Sequence, residues 1–188
     1  MHHTERTEAN TASRVYIGLG SNLPMQGIGS PVEILQQALH CIAAMPDAEL
    51  TDWSSTYESE PLPGSGTPQS RYANAVCSIS TTLTPEALLL ALQGIEQTFG
   101  RVRSGHRWAA RTLDLDLLLF DARQLDTPEL TIPHYAMLER NFVLIPLLEI
   151  QPDLHFVDGR AIAELPAAQD RSGLALIKRF TCKELALV

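Results

Sequence analysis

Arg101, Arg103, Arg107 and Arg111 place four guanidinium groups within eleven residues, and Asp114 and Asp116 follow, two apart, in a leucine-rich run. Guanidinium forks match the geometry of phosphate oxygens. Paired carboxylates suit hard divalent cations, and Mg²⁺ is usually held by one or two carboxylates plus substrate phosphates. Together they point to a site for a metal–polyphosphate, most simply Mg·ATP.

The run from Leu113 to Phe120 is a short apolar segment of the kind that forms a buried strand. On a strand, residues two apart point to one face, roughly 6.6 Å apart along the chain. Asp114 and Asp116 are therefore expected to face one pocket, with Leu113, Leu115 and Leu117 facing the other way. That span suits two cations roughly 3.5–4 Å apart. The bland alternative is a solvated strand face. It fits poorly, because the run is apolar on both faces and a buried acid needs a partner.

Residue types elsewhere set the frame. With 22 acidic and 14 basic residues the formal net charge is −8, which excludes the broad basic surface of a nonspecific nucleic-acid binder. Only Lys178 and Lys183 are lysines, so the positive potential is local to the arginine segment. Cys41, Cys77 and Cys182 are odd in number and far apart; no disulfide framework is expected, and a reducing cytoplasm fits. Residues 1–13 read as a flexible polar tail without the apolar centre of a signal peptide, ahead of one domain over 14–188. No apolar run approaches the roughly 20 residues that span a membrane. A monomer acting on small molecules is expected.

Four strands and three helices are legible. Val15–Leu19 is a first strand, ended by a turn at Gly20-Ser21-Asn22; the two glycines read as a strand end or a ligand loop. Ser30-Pro31-Val32-Glu33 is a capping box with proline at the first helical position, followed by the apolar stripe Ile34, Leu35, Ala38, Leu39, Ile42. Leu50–Glu58 is a second strand, with Trp53, Ser55 and Tyr57 on one face. The Pro/Gly-rich stretch Glu60–Pro68 is a loop long enough for a lid. Tyr72–Thr82 is a third strand. Its Tyr72 and Asn74 share a face and could stack on and hydrogen-bond a flat heterocycle, with ordinary strand packing as the competing reading. Thr84-Pro85-Glu86 starts a second helix, buried through Leu88, Leu92, Ile95 and Phe99 and ended by Gly100. Glu96, near its C-terminus, opposes the dipole and calls for a neighbouring arginine. Pro133 can open a helical turn, and Val143–Ile150 reads as a helix carrying Pro146. The order β-α-β-β-α-β predicts an α+β, ferredoxin-like fold, an antiparallel sheet flanked by helices.

These motifs, in this order, resemble the 6-hydroxymethyl-7,8-dihydropterin pyrophosphokinases. The resemblance runs from Tyr16 to about Gly159. It rests on Gly20-Ser21-Asn22, Tyr72-x-Asn74, Gly100-Arg-Val-Arg103, Arg107-Trp-Ala-Ala-Arg-Thr-Leu-Asp-Leu-Asp116, Pro133-His-Tyr135 and Arg140-x-Phe142. It implies pyrophosphate transfer from ATP to the pterin hydroxymethyl group, with Asp114 and Asp116 holding two Mg²⁺. Arg101, Arg103, Arg111, His134, Tyr135 and Arg140 would surround the ATP phosphates, with Arg101 and Arg111 catalytic. Gln93 and Glu96 would lie near the nucleotide, and Leu117, Leu130 and Thr131 would line an adenine pocket. Tyr72 and Phe142 would sandwich the pterin, Asn74 would read its edge, and Ser59, Pro61 and Leu62 would supply contacts beside it. Trp108 and the Pro/Gly loop would close over the site. The chain departs from the family pattern at Ser59-Glu60 and at Ala109-Ala110, where Thr-Pro and Gly-Pro are common.

Three other functions are separable. A nucleotidyltransferase also combines Gly-Ser with Asp-x-Asp, but there the motifs lie close together, and it releases pyrophosphate rather than AMP. A Walker-type ATPase is excluded, since there is no G-x-x-x-x-G-K motif and no lysine before Lys178. A pterin- or nucleotide-binding module without activity would form no AMP.

Overall fold

The structure, a computed structural model, describes residues 11–61, 69–101 and 111–185. The chain runs β1 (Ser13–Ser21), α1 (Pro31–Ala43), β2 (Ala48–Trp53), β3 (Thr56–Ser59), β4 (Tyr72–Thr81), α2 (Pro85–Thr98), β5 (Asp114–Phe120), β6 (Leu125–Asp126), β7 (Thr131–Ile132), α3 (Asn141–Ile150), α4 (Pro166–Gln169) and β8 (Leu174–Lys178). The main sheet has the order β5-β1-β4-β3-β8, with β2 also on β4; the pairs are antiparallel. Taking β2 and β3 as one broken strand, this is the fourth–first–third–second order of the expected ferredoxin-like core.

Local chemistry fixes the two crossover helices. The Ser30 N–H donates to Glu33 Oε2 at 2.7 Å, so the capping box forms, with Pro31 at the first position. Thr84 Oγ1 accepts from Ala87 N–H at 3.2 Å, followed by Pro85. Gly100, at φ +72°, takes the left-handed conformation that ends α2. Both helices bury their stripes on one sheet face, where Leu35, Ile42, Leu88 and Leu92 meet Ile17, Cys77, Leu115 and Leu117. Leu35 is fully buried, so Leu35→Ala would cost about 2–5 kcal/mol. On the opposite face, α3 packs Val143, Leu144 and Leu147 against Tyr16, Val76 and Leu118. The two cores thus clamp β1, β4 and β5, the strands that carry the site. No helix among the described residues is long and apolar enough to cross a membrane.

Several expectations are revised. β1 continues through Gly20 to Ser21, and it starts at Ser13, which pairs with Thr81 and so belongs to the sheet rather than to a tail. The predicted 50–58 strand is two strands. Trp53 pairs with Cys77 and Tyr57 with Asn74, so four steps on one side match three on the other, which is one extra residue. Ser54 fills the gap by accepting from Val76 N–H at 3.0 Å through Oγ. The insertion reverses the faces: Trp53 packs on the α1/α2 core, whereas the Tyr57 hydroxyl donates to Glu149 of α3 at 2.9 Å. The helical turn near Pro133 forms later, at Met137–Glu139. The run at Leu174–Ile177 becomes β8, an edge strand on β3.

Candidate active site

Alternation along β5 does what its sequence predicts. Leu113, Leu115 and Leu117 enter the α1/α2 core, while Asp114 and Asp116 line a cleft of about 280 Å³ on the other face. Across the sheet, Gly20 of β1 pairs with Asp114, Gly18 pairs with Asp116, and Asn74 of β4 pairs with Gly20. The two glycines leave a side-chain-free floor between the acidic strand and Tyr72-x-Asn74. Arg111, Tyr72, Asn74, Ser59, His134, Tyr135, Arg140 and Phe142 complete the walls. α3 supplies Phe142 from its first turn, and Arg140 precedes that helix as its cap. The Arg140 guanidinium lies over the Phe142 ring, 5.8 Å from its centroid.

The charges form a chain. Buried Glu96, at the end of α2, accepts from Leu115 N–H at 2.8 Å and from the Arg101 guanidinium. Arg101 also reaches Asp114 Oδ1 at 2.6 Å, and Arg111 reaches Asp114 Oδ2 at 2.7 Å. The arginine partner expected for Glu96 is therefore Arg101. Asp116 stands differently. Burial, then the charge of Asp114, pushes its carboxyl well above the usual carboxylate range, although its side chain keeps 38% exposure towards the cleft mouth. The ring of His134 lies 3.9 Å from it through Nε2. Burial and then Arg140 push His134 down to about 4, so the ring is neutral near pH 7 and the contact is not an ion pair. Its Nδ1 accepts from Ala136 N–H at 3.3 Å, which leaves the proton on Nε2.

Asn74 is committed on one side. Its Nδ2 donates to Ser59 Oγ at 3.0 Å and to Tyr72 O at 3.3 Å, while Oδ1 faces the space above Gly20. Among the described residues no third His, Cys, Asp or Glu joins Asp114 and Asp116 in a metal-binding group. Two carboxylates on one face suit Mg²⁺ that brings phosphate oxygens with it.

Not every predicted residue meets in this cleft. Leu117 and Leu130 lie in the α1/α2 core, Thr131 pairs within the small β6–β7 hairpin, and Gln93 is half-buried on α2. Pro61 is half-buried just beyond the Ser59 and Glu60 positions that line the wall. Leu62, Arg103, Arg107 and Trp108 lie outside the described residues, as does most of the Pro/Gly loop. The cleft also contains Gly18, Gly20 and Glu60, which the sequence offered as strand-end or loop residues, together with Leu118 and Gln69, to which it assigned no role. A signal existed for the glycines: their spacing of two on a strand puts both on one face. The same spacing puts Leu118 on the face of Asp114 and Asp116; the β1–β5 register shift between Tyr16 and Ile17 instead brings Leu119 onto that face, into the cluster of Tyr16 and Val76.

Comparison with known proteins places the chain in a family. Residues 16–152 match the family described as 7,8-dihydro-6-hydroxymethylpterin-pyrophosphokinase. The 2-amino-4-hydroxy-6-hydroxymethyldihydropteridine pyrophosphokinase of Pseudomonas aeruginosa is 46% identical over 161 residues, covering 86% of this chain and 94% of that one. The protein of the same name from Haemophilus influenzae is 46% identical over 150 residues, covering 80% and 89%. Among solved structures, Plasmodium falciparum HPPK-DHPS with pteroate superposes with a TM-score of 0.63 at 14% identity, covering 91% of this chain and 48% of that one. This chain thus spans about half the length of that protein, and the likeness concerns the fold. The chain belongs to the 7,8-dihydro-6-hydroxymethylpterin-pyrophosphokinase family, enzymes that transfer pyrophosphate from ATP to hydroxymethyldihydropterin in folate synthesis.

Proposed function

We propose that this cleft carries out the family's reaction with a division of labour along its walls. The observation that carries the reading is the sheet register, which puts Asp114 and Asn74 on either side of Gly20. A phosphate-binding edge and a heterocycle-reading edge thereby share one floor. Tyr72 and Phe142 hold the pterin ring by stacking. Asn74 Oδ1 accepts from a ring N–H while its Nδ2 is fixed by Ser59. Arg111, Arg140 and the neutral His134 Nε2–H donate to phosphate oxygens, and Arg101 joins them from beside Asp114. Tyr135 stands next to His134, with ring centroids 4.7 Å apart, at the exposed lip.

Asp114 and Asp116 would hold two Mg²⁺ together with the phosphates of ATP. Bound there, Mg²⁺ would neutralise polyphosphate charge and favour the ionised acceptor hydroxyl. The acceptor oxygen, its proton released to solvent, forms a bond to the β-phosphorus as the bond from that phosphorus to the α–β bridging oxygen breaks. The pterin diphosphate and AMP result. The chain's contribution is alignment and stabilisation of moving charge by Arg101, Arg111 and Arg140. The enzyme works as a monomer in the cytoplasm, on small molecules alone.

Steady-state kinetics test the division. Tyr72→Ala is expected to raise the acceptor KM by about tenfold, the worth of one stacked ring, and to leave the ATP KM within about twofold. Arg140→Ala is expected to do the reverse. The same change in both constants from either substitution would overturn the assignment.

A further inference from the structure

Asn22 follows β1, lies outside the cleft wall and is 1% exposed. Two distant segments meet on its amide. Its backbone N–H donates to Arg111 O at 3.1 Å, and its Oδ1 accepts from Arg111 N–H at 2.9 Å. Its Nδ2 donates to Gln69 Oε1 at 3.2 Å and to Ser70 O at 3.4 Å. The same Gln69 oxygen accepts from the Tyr72 hydroxyl at 2.9 Å. One buried side chain therefore links the backbone of Arg111, whose guanidinium holds Asp114, to the phenol of Tyr72.

The physical consequence is a joint. A buried amide is tolerated only while its donors and acceptor are satisfied. If the Gln69 segment moves away from β1, Nδ2 loses both partners; if the Arg111 segment moves, Oδ1 loses its own. The position of each segment thus carries an energetic consequence for the other. The reaction needs an acceptor oxygen in line with a phosphorus, and such alignment is sensitive to displacements of an ångström.

We propose that Asn22 is a positioning residue that sets the acceptor side and the phosphate side of the cleft in register with each other. The inference rests on the assignment of Tyr72 to the acceptor and Arg111 to the phosphates. It requires no contact between Asn22 and either substrate.

Two-substrate kinetics and thermal denaturation on Asn22→Ala, Gln69→Leu, Gln69→Glu and Tyr72→Ala test it together. Asn22→Ala is expected to lower kcat by about 10–100-fold in a chain that is folded at the assay temperature. Gln69→Leu, which removes the acceptor-side arm, raises the pterin KM by about fivefold and leaves the ATP KM within about twofold. Gln69→Glu keeps an oxygen for both Asn22 Nδ2 and the Tyr72 hydroxyl, and returns the pterin KM to within about twofold of the parent. Unchanged KM values in all variants, with rates following only the folded fraction, would overturn the proposal. A Gln69→Glu chain no better than Gln69→Leu would do the same. If Asn22→Ala fails to fold, the Gln69 pair decides alone. Tyr72→Ala separates the two ideas: a normal pterin KM there refutes the assignment of Tyr72, whereas an impaired Tyr72→Ala beside normal Asn22 and Gln69 variants refutes only the joint.

Discussion

Asp114 and Asp116 share one face of β5 but not one environment: Asp114 is gripped by the Arg101 and Arg111 guanidinium groups at 2.6 and 2.7 Å, while Asp116 faces the neutral ring of His134 at 3.9 Å. Asp114 is thus stabilised by its neighbours. Asp116 is held above the usual carboxylate range by burial and by Asp114 itself, so its charge works against the fold.

The two asparagine variants should therefore part company. Asp116→Asn is expected to keep or raise the melting temperature, because it removes an unfavourable charge, while turnover falls by about two orders of magnitude or more. Asp114→Asn should lose turnover and also lose on the order of 1–3 kcal/mol of stability, since two partly buried guanidinium groups lose their shared acceptor. Thermal melts beside an AMP-release assay read both. Near-normal turnover in folded Asp116→Asn would sink the assignment of that carboxylate to the metal.

Gly20 yields a second dissociation of stability from activity. A methyl group built there meets Asn74 Oδ1 and Asp114 Cβ at 3.8 Å, ordinary contact distances, and a strand glycine is unfavourable by itself. The fold has no need of glycine at this position; a flat substrate lying on the floor does. Gly20→Ala is expected to melt no lower than the parent and to raise the acceptor KM by about tenfold or more. A lower melting temperature with an unchanged KM would show that the glycine serves the fold alone.

The bulge between β2 and β3 predicts an alkaline signature. Glu149 of α3 accepts from Ser55 N–H and from the hydroxyls of Ser55 and Tyr57. Burial, then that carboxylate, pushes the Tyr57 phenol up to about 12 from its ordinary 10. Between those values the unfolded chain ionises its phenol while the folded chain keeps the proton. The stability from this group is present in full below pH 10 and is lost as pH rises towards 12, at about 1.4 kcal/mol per pH unit. Urea unfolding at about pH 8, 10 and 11 should show a shallower alkaline loss in Tyr57→Phe than in the parent. Parallel losses would contradict the buried-phenol account.

Much of this was legible from the chain alone, for identifiable reasons. The acidic strand is readable because a period of two sorts Asp114 and Asp116 from Leu113, Leu115 and Leu117. Both crossover helices announce themselves through proline-led caps. The bulge at Ser54-Ser55 is not readable, because one extra residue leaves no mark in composition yet sends Trp53 and Tyr57 to opposite faces. Leu119 joins the α3-side core through the same kind of register shift. The edge strand β8 was visible as an apolar run, but its pairing with β3 joins segments far apart in sequence. The role of Asn22 was hidden for the same reason, since its partners lie 47 and 89 positions away.

The most direct test of the central claim follows the phosphorus atoms. The parent chain is incubated with Mg²⁺, 6-hydroxymethyl-7,8-dihydropterin and ATP labelled at either the α- or the γ-phosphate. Attack at the β-phosphorus predicts that the γ-label moves to the pterin product while the α-label remains in AMP, in equal amounts. An α-label on the pterin with free pyrophosphate, or a γ-label transferred with release of ADP, would contradict the account.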